Sequence, residues 1–179
     1  MSALITLEDL GPRICIMGPS NSGKSTLASA LARKTALPAI HLDQLYHLPH
    51  TDWQPRDEAA FLHLHHQAIH QDCWVMDGNY TNCLNARLAR ATGYILLDVS
   101  TLVSLLRYFR RCYASSPRQG GLEGGVDSVK GAMIKHIALI TPANRRRYQT
   151  LYSDLDLPKC FLQGQKAIAD AYRGWNLSA

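Results

Sequence analysis

Short, largely apolar runs recur along the chain and alternate with longer segments in which apolar residues return with the period of a helix. Such runs are typical of strands buried on both faces of a sheet, and helical crossovers between them indicate that the strands are parallel. The pattern therefore predicts an α/β fold of three layers. The predicted strands are residues 13–18, 37–43, 73–79, 93–100 and 159–164.

Helical periodicity fills the segments between these strands. The main helices are predicted at about 23–35, 57–71 and 129–152, with a short helix after the last strand. Another helix, before residue 114, has one apolar side formed by Leu102, Leu105, Leu106 and Phe109. The segment 114–128 contains four glycines and almost no apolar anchor, so it is predicted to be a mobile surface loop.

The length and composition are those of one soluble globular domain that spans 1–179, with 46% hydrophobic and 18% charged residues. No apolar run approaches the roughly 18 residues of a membrane span, so no membrane partner is expected. The first residues lack the basic start of a signal peptide and are interpreted as a short leader. Five scattered cysteines without a C-x-x-C pair fit a reducing compartment and predict a cytoplasmic location.

The formal net charge of +5 suits an anionic partner, either a nucleotide or a nucleic acid. The arginines concentrate in two late segments, "RYFRRC" and "NRRRY", rather than in one charged tail. Clustering of this kind would also serve a site that grips phosphate groups. Charge alone therefore does not choose between the two kinds of partner.

A phosphate-loop (Walker A) motif, G-x-x-x-x-G-K-[ST], follows the first predicted strand and opens the first long helix. In this context the backbone N–H groups of the loop bind phosphates, Lys24 reaches the β and γ oxygens of ATP, and the Ser25 hydroxyl binds Mg²⁺. The predicted nucleotide-binding residues are Gly18, Pro19, Ser20, Asn21, Ser22, Gly23, Lys24, Ser25 and Thr26.

A magnesium site of this type also needs a carboxylate, and two predicted strands end in one. Asp77 follows "WVM" and Asp98 follows "ILL", and periodicity does not separate them. Asp77 is favoured because Gly78 comes next, and a residue without a side chain lets a nucleotide or substrate approach the backbone. Asp98 remains the alternative magnesium acid; its structural interpretation is a place in the N-cap region of the following helix.

Four further motifs behind the phosphate loop resemble the adenylate-kinase-related group and, more narrowly, the bacterial topology modulation proteins. The resemblance implies a phosphate-loop kinase with strand order 2-3-1-4-5, a substrate-binding helical insertion at about 44–72 and a flexible lid at about 114–128. The motifs that carry it are "HLDQLYH" (41–47), "WVMDGNY" (74–80), "YILLDVS" (94–100) and "RYFRR" (107–111).

The resemblance also implies roles for residues of the acceptor side. Asp77 and Gly78 stand where adenylate kinases carry D-G before F-P, but Asn79 and Tyr80 replace F-P, which alters the contact with a nucleoside monophosphate. Asp43 matches the acid that faces the acceptor hydroxyl in shikimate- and gluconate-type kinases. A carboxylate there can orient the hydroxyl and accept its proton.

Paired arginines complete the implied site. Arg107 and Arg111 lie four apart on a predicted helix, share one face, and match the arginines that hold the transferring phosphoryl group at the base of the adenylate kinase lid. Arg87 fits an arginine typical of the subgroup and is expected at the acceptor. The run 145–147 fits either a solvated helix face or phosphate contacts.

These features lead to a hypothesis of function with one alternative. We expect an ATP-binding, Mg²⁺-dependent kinase that moves the γ-phosphate to a small-molecule or nucleotide acceptor near Asp43. The alternative is a nucleic-acid-associated or regulatory phosphate-loop ATPase. Nucleic acid is the less favoured partner, because no recognition helix or RNA-binding aromatic signature accompanies the basic residues.

Overall fold

The computed structural model describes residues 4–113, 120–122 and 131–178. Within them, five parallel strands form one sheet in the order β2-β3-β1-β4-β5, so the predicted fold class and strand order are confirmed. The strands are β1 Arg13–Met17, β2 Ala39–His41, β3 Trp74–Asp77, β4 Gly93–Asp98 and β5 Lys159–Gln163.

Helices cover both faces of this sheet. The helices are α1 Leu7–Leu10, α2 Lys24–Thr35, α3 Leu42–Tyr46, α4 Glu58–Ile69, α5 Leu84–Arg90, α6 Thr101–Tyr113, α7 Gly131–Lys135, α8 Thr141–Asp154 and α9 Gly164–Gly174. A π-helical turn, His136–Ile140, joins α7 to α8. None of the helices in the described ranges is long and apolar enough to cross a membrane.

Alternate residues of the central strands supply the two halves of the core. On one face Ile14 and Ile16 of β1 pack with α1, α2 and α9, and on the other Cys15 and Met17 pack with α3, α4, α5 and α8. Because successive strand side chains point to opposite faces, a continuous apolar run serves both layers at once. This explains why the central strands could be predicted from apolar runs in which polar and apolar residues do not alternate.

The second strand is shorter than predicted, and this changes the position of Asp43. Strand β2 ends at His41, and Leu42 begins the five-residue helix α3. Asp43 therefore lies in the first helical turn rather than at the end of a strand. An acidic residue is favourable there because the first turn exposes backbone N–H groups.

Three other expectations are modified. The leader contains the helical turn α1, and α5 occupies a segment for which no helix was predicted. The predicted apolar side of α6 is partly in solvent, with Leu102 67% and Leu106 55% exposed.

The insertion predicted at about 44–72 contains most of α3 and all of α4. Of the lid predicted at about 114–128, only 120–122 is described, and 114–119 and 123–128 lie outside the described residues.

Candidate functional site

The phosphate loop joins β1 to α2 through backbone conformations that favour glycine. Gly18 has φ +149° and Gly23, which precedes the first turn of α2, has φ +98°. A Cβ on Gly18 would lie 2.4 Å from the carbonyl oxygen of Leu97 on β4, so the loop can leave the sheet here only without a side chain. Asn21 also has a positive φ, +59°. The sequence thus folds into the curled loop that the motif predicts.

Lys24 turns back over this loop. Its Nζ donates to the carbonyl oxygens of Gly18, at 3.0 Å, and Pro19, at 2.8 Å. The ammonium group is thereby held beside the loop, where an anion would be attracted. Ser22 is buried at the inside of the turn, whereas Thr26 is exposed on the first turn of α2.

The carboxylate of Asp77 meets the start of α2. Ser25 Oγ donates to Asp77 Oδ2 at 2.8 Å, and Asp77 Oδ1 lies 2.5 Å from Nδ1 of His41. Asp77 is 4% exposed. A hydroxyl and a carboxylate are the hard oxygen donors that suit Mg²⁺, which keeps much of its water shell and needs few protein ligands. The residues present therefore fit such an ion.

Asp98, the alternative acid, lies on the opposite flank of β1 and has different neighbours. Arg145 Nε is 2.7 Å from Asp98 Oδ1, and Gln149 Nε2 donates to Oδ2 at 3.5 Å. Arg145 also donates to the carbonyl oxygen of Val99. In this conformation Asp98 links β4 to α8, whereas Asp77 touches the serine of the phosphate loop.

Residues after β3 connect the phosphate loop with the acceptor side. The Asn79 side chain donates from Nδ2 to the carbonyl oxygen of Gly18 at 2.6 Å and accepts from the Gly18 N–H at 3.3 Å. Next to it, the Tyr80 hydroxyl donates to Asp43 Oδ1 at 2.9 Å. The two residues that replace F-P thus each contact one half of the predicted site.

Aromatic rings surround the Tyr80 end of this connection. The ring of Tyr46 lies 4.8 Å from that of Tyr80 and 5.2 Å from that of Phe61, measured between centroids. His47 continues the cluster towards Trp53, with their centroids 5.2 Å apart. Asp43 is therefore placed beside an apolar, aromatic wall contributed by the insertion and by Tyr80.

The two predicted lid-base arginines both reach the phosphate loop. Arg107 Nη1 donates to the carbonyl oxygen of Ser22 at 2.7 Å, and Arg111 Nη1 donates to Asn21 Oδ1 at 2.5 Å. Desolvation lowers the pKa of Arg107, while the nearby Tyr172 opposes this shift. Two guanidinium groups of one helix thus approach the loop from the side of α6.

Arg87, predicted to contact the acceptor, is fully buried, with 0% exposure. Its Nη2 donates to the carbonyl oxygen of Gly78 at 3.1 Å. Nε and Nη1 are buried with no hydrogen-bond partner among the described residues. In this conformation Arg87 supports the turn that carries Gly78 and Asn79.

Two sets of contacts in this region were not predicted from the sequence. His41 stands beside Asp43 in the H-L-D motif, but nothing in its spacing indicated a contact with Asp77. Gly120 packs on the His41 ring, where a Cβ would lie 2.6 Å from Nδ1, and Gln44 Nε2 donates to the carbonyl oxygen of Gly121 at 2.8 Å. The described part of the predicted lid thus contacts the end of β2 and α3.

Comparisons with known proteins give structural similarity only. No protein-family model and no curated protein matches the chain. A gluconokinase from Sinorhizobium meliloti is 19% identical with a TM-score of 0.45, over 82% of this chain and 99% of that one. A shikimate kinase from Bacteroides thetaiotaomicron is 20% identical with a TM-score of 0.49, and the match covers 93% of this chain and 99% of that one. A sugar kinase from Janibacter is 14% identical with a TM-score of 0.40, and the match covers 92% of this chain and 94% of that one.

Proposed function

We propose that this chain is an ATP-dependent phosphotransferase that moves the γ-phosphoryl group of ATP to a small-molecule or nucleotide acceptor held near Asp43. The observation that carries the proposal is that two half-sites meet at one edge of the sheet. The donor half-site is the phosphate loop with Asp77, and the acceptor half-site is Asp43 with Tyr80. Asp77 is hydrogen-bonded to Ser25 of the phosphate loop, and Tyr80, three residues later, is hydrogen-bonded to Asp43. A donor nucleotide and an acceptor would thereby be brought side by side.

The phosphate loop would hold the triphosphate of ATP. Its backbone and Lys24 supply positive potential, while Ser25 and Asp77 would hold Mg²⁺. When bound, Mg²⁺ neutralises charge on the phosphate oxygens. Asp98 is assigned to the contact between β4 and α8, because Arg145 and Gln149 already engage its carboxylate.

Asp43 would act on the acceptor. In the transfer, the bond from the γ-phosphorus to the bridging oxygen of ADP breaks and a bond to the acceptor oxygen forms. The acceptor hydroxyl loses its proton, which the carboxylate of Asp43 accepts, and the Tyr80 hydroxyl orients that carboxylate. Gly78 and Asn79 would line the acceptor, with Arg87 supporting it through the Gly78 carbonyl.

Arg107 and Arg111 would stabilise the transferring phosphoryl group. Guanidinium groups remain charged when half-buried and bind phosphate oxygens in pairs, which suits a group whose charge is spread over three oxygens. Both arginines already approach the loop, through Ser22 and Asn21. Closure of the site around these groups would keep water from competing as the acceptor.

The narrower assignment, to the adenylate-kinase-related topology modulation proteins of the cytoplasm, belongs to the same proposal. It is supported by the order of the H-L-D, D-G-N-Y and R-Y-F-R-R motifs behind the phosphate loop. The replacement of F-P by Asn79-Tyr80 favours an acceptor other than the one that adenylate kinases use.

A coupled assay of ADP release tests the proposal against a panel of nucleoside monophosphates and small hydroxylated metabolites. We expect one class of acceptor to accelerate ADP release and Asp43→Asn to reduce that acceleration by about 10²-fold or more, through loss of the proton acceptor. Tyr80→Phe keeps the ring and removes only the hydroxyl, so a smaller loss is expected. ADP binding should persist in both variants, which shows that the fold is intact.

The contrary result is ATP hydrolysis that no acceptor accelerates and that Asp43→Asn leaves unchanged. If single-stranded DNA or RNA then stimulated hydrolysis at physiological salt, the alternative of a nucleic-acid-associated ATPase would replace the kinase. Exposed Arg110, Arg146 and Arg147 would be the first residues to examine in that case.

A further inference from the structure

His41 is buried at the end of β2, and its ring contacts the acid that the proposed function assigns to Mg²⁺. It is 8% exposed, and its Nδ1 is 2.5 Å from Asp77 Oδ1. The other oxygen of the same carboxylate accepts from Ser25 Oγ at 2.8 Å. Each oxygen of Asp77 therefore has a partner of its own, one from the phosphate loop and one from β2.

The chemistry of the two groups sets the direction of the bond. Carboxylate oxygens accept hydrogen bonds, so the tautomer that fits this contact carries its proton on Nδ1 of His41 and donates to Asp77. The opposite ring nitrogen, Nε2, lies 3.5 Å from Ser29 Oγ on α2. The imidazole thus stands between β3 and α2, and contacts on both sides hold its plane.

A third contact restricts the ring further. Gly120 has φ +65°, and a Cβ at this position would lie 2.6 Å from His41 Nδ1. Only a residue without a side chain can approach the ring so closely. His41 is also separated from Asp43 by Leu42 alone, so it lies in the short segment that links the metal-side acid with the acceptor-side acid.

We infer that His41 is a positioning residue that fixes the orientation of the Asp77 carboxylate, so that one oxygen stays directed at Ser25 and the magnesium position. The inference rests on the proposed metal role of Asp77. Without the Nδ1 donor, the carboxylate can rotate about its Cβ–Cγ bond and loses a buried partner. Residues that orient metal ligands in this way typically change metal affinity about 10- to 100-fold when replaced.

Isothermal titration with ADP, in Mg²⁺ and in EDTA, separates metal binding from nucleotide binding. Two variants of similar size form the matched pair. His41→Leu has no donor, while His41→Asn carries an amide nitrogen the same number of bonds from Cα as Nδ1. We expect His41→Leu to reduce the strengthening of ADP binding by Mg²⁺ about tenfold. Affinity in EDTA should stay unchanged, and His41→Asn should restore most of the loss.

The opposing outcomes are distinct. An unchanged effect of Mg²⁺ in His41→Leu, or an equal loss in His41→Leu and His41→Asn, overturns the positioning role. Asp77→Asn is the control for the premise. If Mg²⁺ does not strengthen ADP binding to the unaltered protein, or if Asp77→Asn leaves its effect intact, the metal role in the proposed function fails, whatever His41 does.

A measurement on the unaltered chain covers the case in which His41→Leu does not fold. In ¹⁵N–¹H correlation spectra of histidine-labelled protein, we expect a proton on Nδ1 of His41. Its signal should shift when Mg²⁺ is added to the ADP complex. A ring protonated only on Nε2, or a signal unaffected by Mg²⁺, overturns the inference.

Discussion

Arg87 places a cation inside the core, directly beneath the turn that joins the two half-sites. Its guanidinium supports the Gly78 carbonyl, while Cys15, Cys83 and His65 lie within reach of its charge. Burial raises the pKa of the Cys15 thiol, and Arg87 opposes that rise. A buried cation favours anionic or neutral neighbours and disfavours a second cation. The charge of Arg87 therefore disfavours protonation of His65.

His65 should make stability depend on pH. Burial, and then the charge of Arg87, lowers its pKa from 6.5 to about 4. As the pH falls, the unfolded chain consequently takes up this proton at a higher pH than the folded chain does. Stability is unaffected above the unfolded pKa and is lost as the pH falls from 6.5 towards 4. The free energy of unfolding should drop by about 2 kcal/mol between pH 7.5 and pH 5 on account of this residue.

Urea denaturation of His65→Leu at both pH values checks this expectation. The variant should lose that part of the pH dependence, because leucine buries a similar volume and takes up no proton. His63→Leu, on the exposed side of the same helix, is the matched control and should retain it. Equal pH dependence in His65→Leu and the unaltered protein would contradict the assignment.

At the scale of the elements, β3 and α3 touch where the half-sites meet. Gly78 has φ +140°, and a Cβ there would lie 2.7 Å from the Cβ of Leu42, which is fully buried. Asp77 comes immediately before this contact on one element, and Asp43 comes immediately after it on the other. The distance between the two acids therefore depends on how closely these two backbones approach.

Gly78→Ala should separate the elements and destabilise the chain. Strain at positive φ costs about 1–3 kcal/mol, and overpacking adds about 1–3 kcal/mol. Two other glycines, with no described atom near the added Cβ, are matched controls. Gly164→Ala, at φ +81°, carries the strain alone, whereas Gly131→Ala carries neither cost. Urea denaturation should rank the losses Gly78 > Gly164 > Gly131, and equal losses at Gly78 and Gly164 would exclude the close contact.

The central strands were predictable because burial on both faces leaves an uninterrupted apolar run. The edge strand β2 was predicted too long, since "HLD" has no local signal that separates a strand end from the first turn of α3. Helix α5 was missed because it is only seven residues long, and its arginine at position 87 turns inward. Such an inward arginine is set by tertiary packing, which no local pattern carries.

The same limit applies to the site. Asp43, Asp77, Arg107 and Arg111 stand at positions defined by motifs, so each could be named in advance. The contact between His41 and Asp77 joins strands 36 residues apart along the chain, and it depends on their register in the sheet. Periodicity identifies which face a residue occupies but not which residue of a neighbouring strand it meets.

At the scale of the whole molecule, the two ends of the described chain close one face of the core together. The indole N–H of Trp175 donates to the carbonyl oxygen of Ile5 at 2.8 Å. Leu10 of α1 is fully buried in the same cluster as Trp175. The backbone of Leu10 leaves no room for a side chain at Gly93, because a Cβ there would lie 2.4 Å from the Leu10 carbonyl oxygen. The segment interpreted as a leader is thus part of the folded core.

Leu10→Ala should therefore cost as much as a mutation at the centre of the domain. Removing a fully buried leucine side chain is expected to lower the free energy of unfolding by about 2–5 kcal/mol. For a chain of this length that corresponds to about 2–4 °C in Tm per kcal/mol. Leu102→Ala removes the same atoms from a side chain that is 67% exposed, and should change stability by less than about 0.5 kcal/mol. Urea and thermal denaturation of the two variants measure the free energy of unfolding and Tm. Similar small losses of stability in both variants would show that α1 does not contribute to the stability of the core.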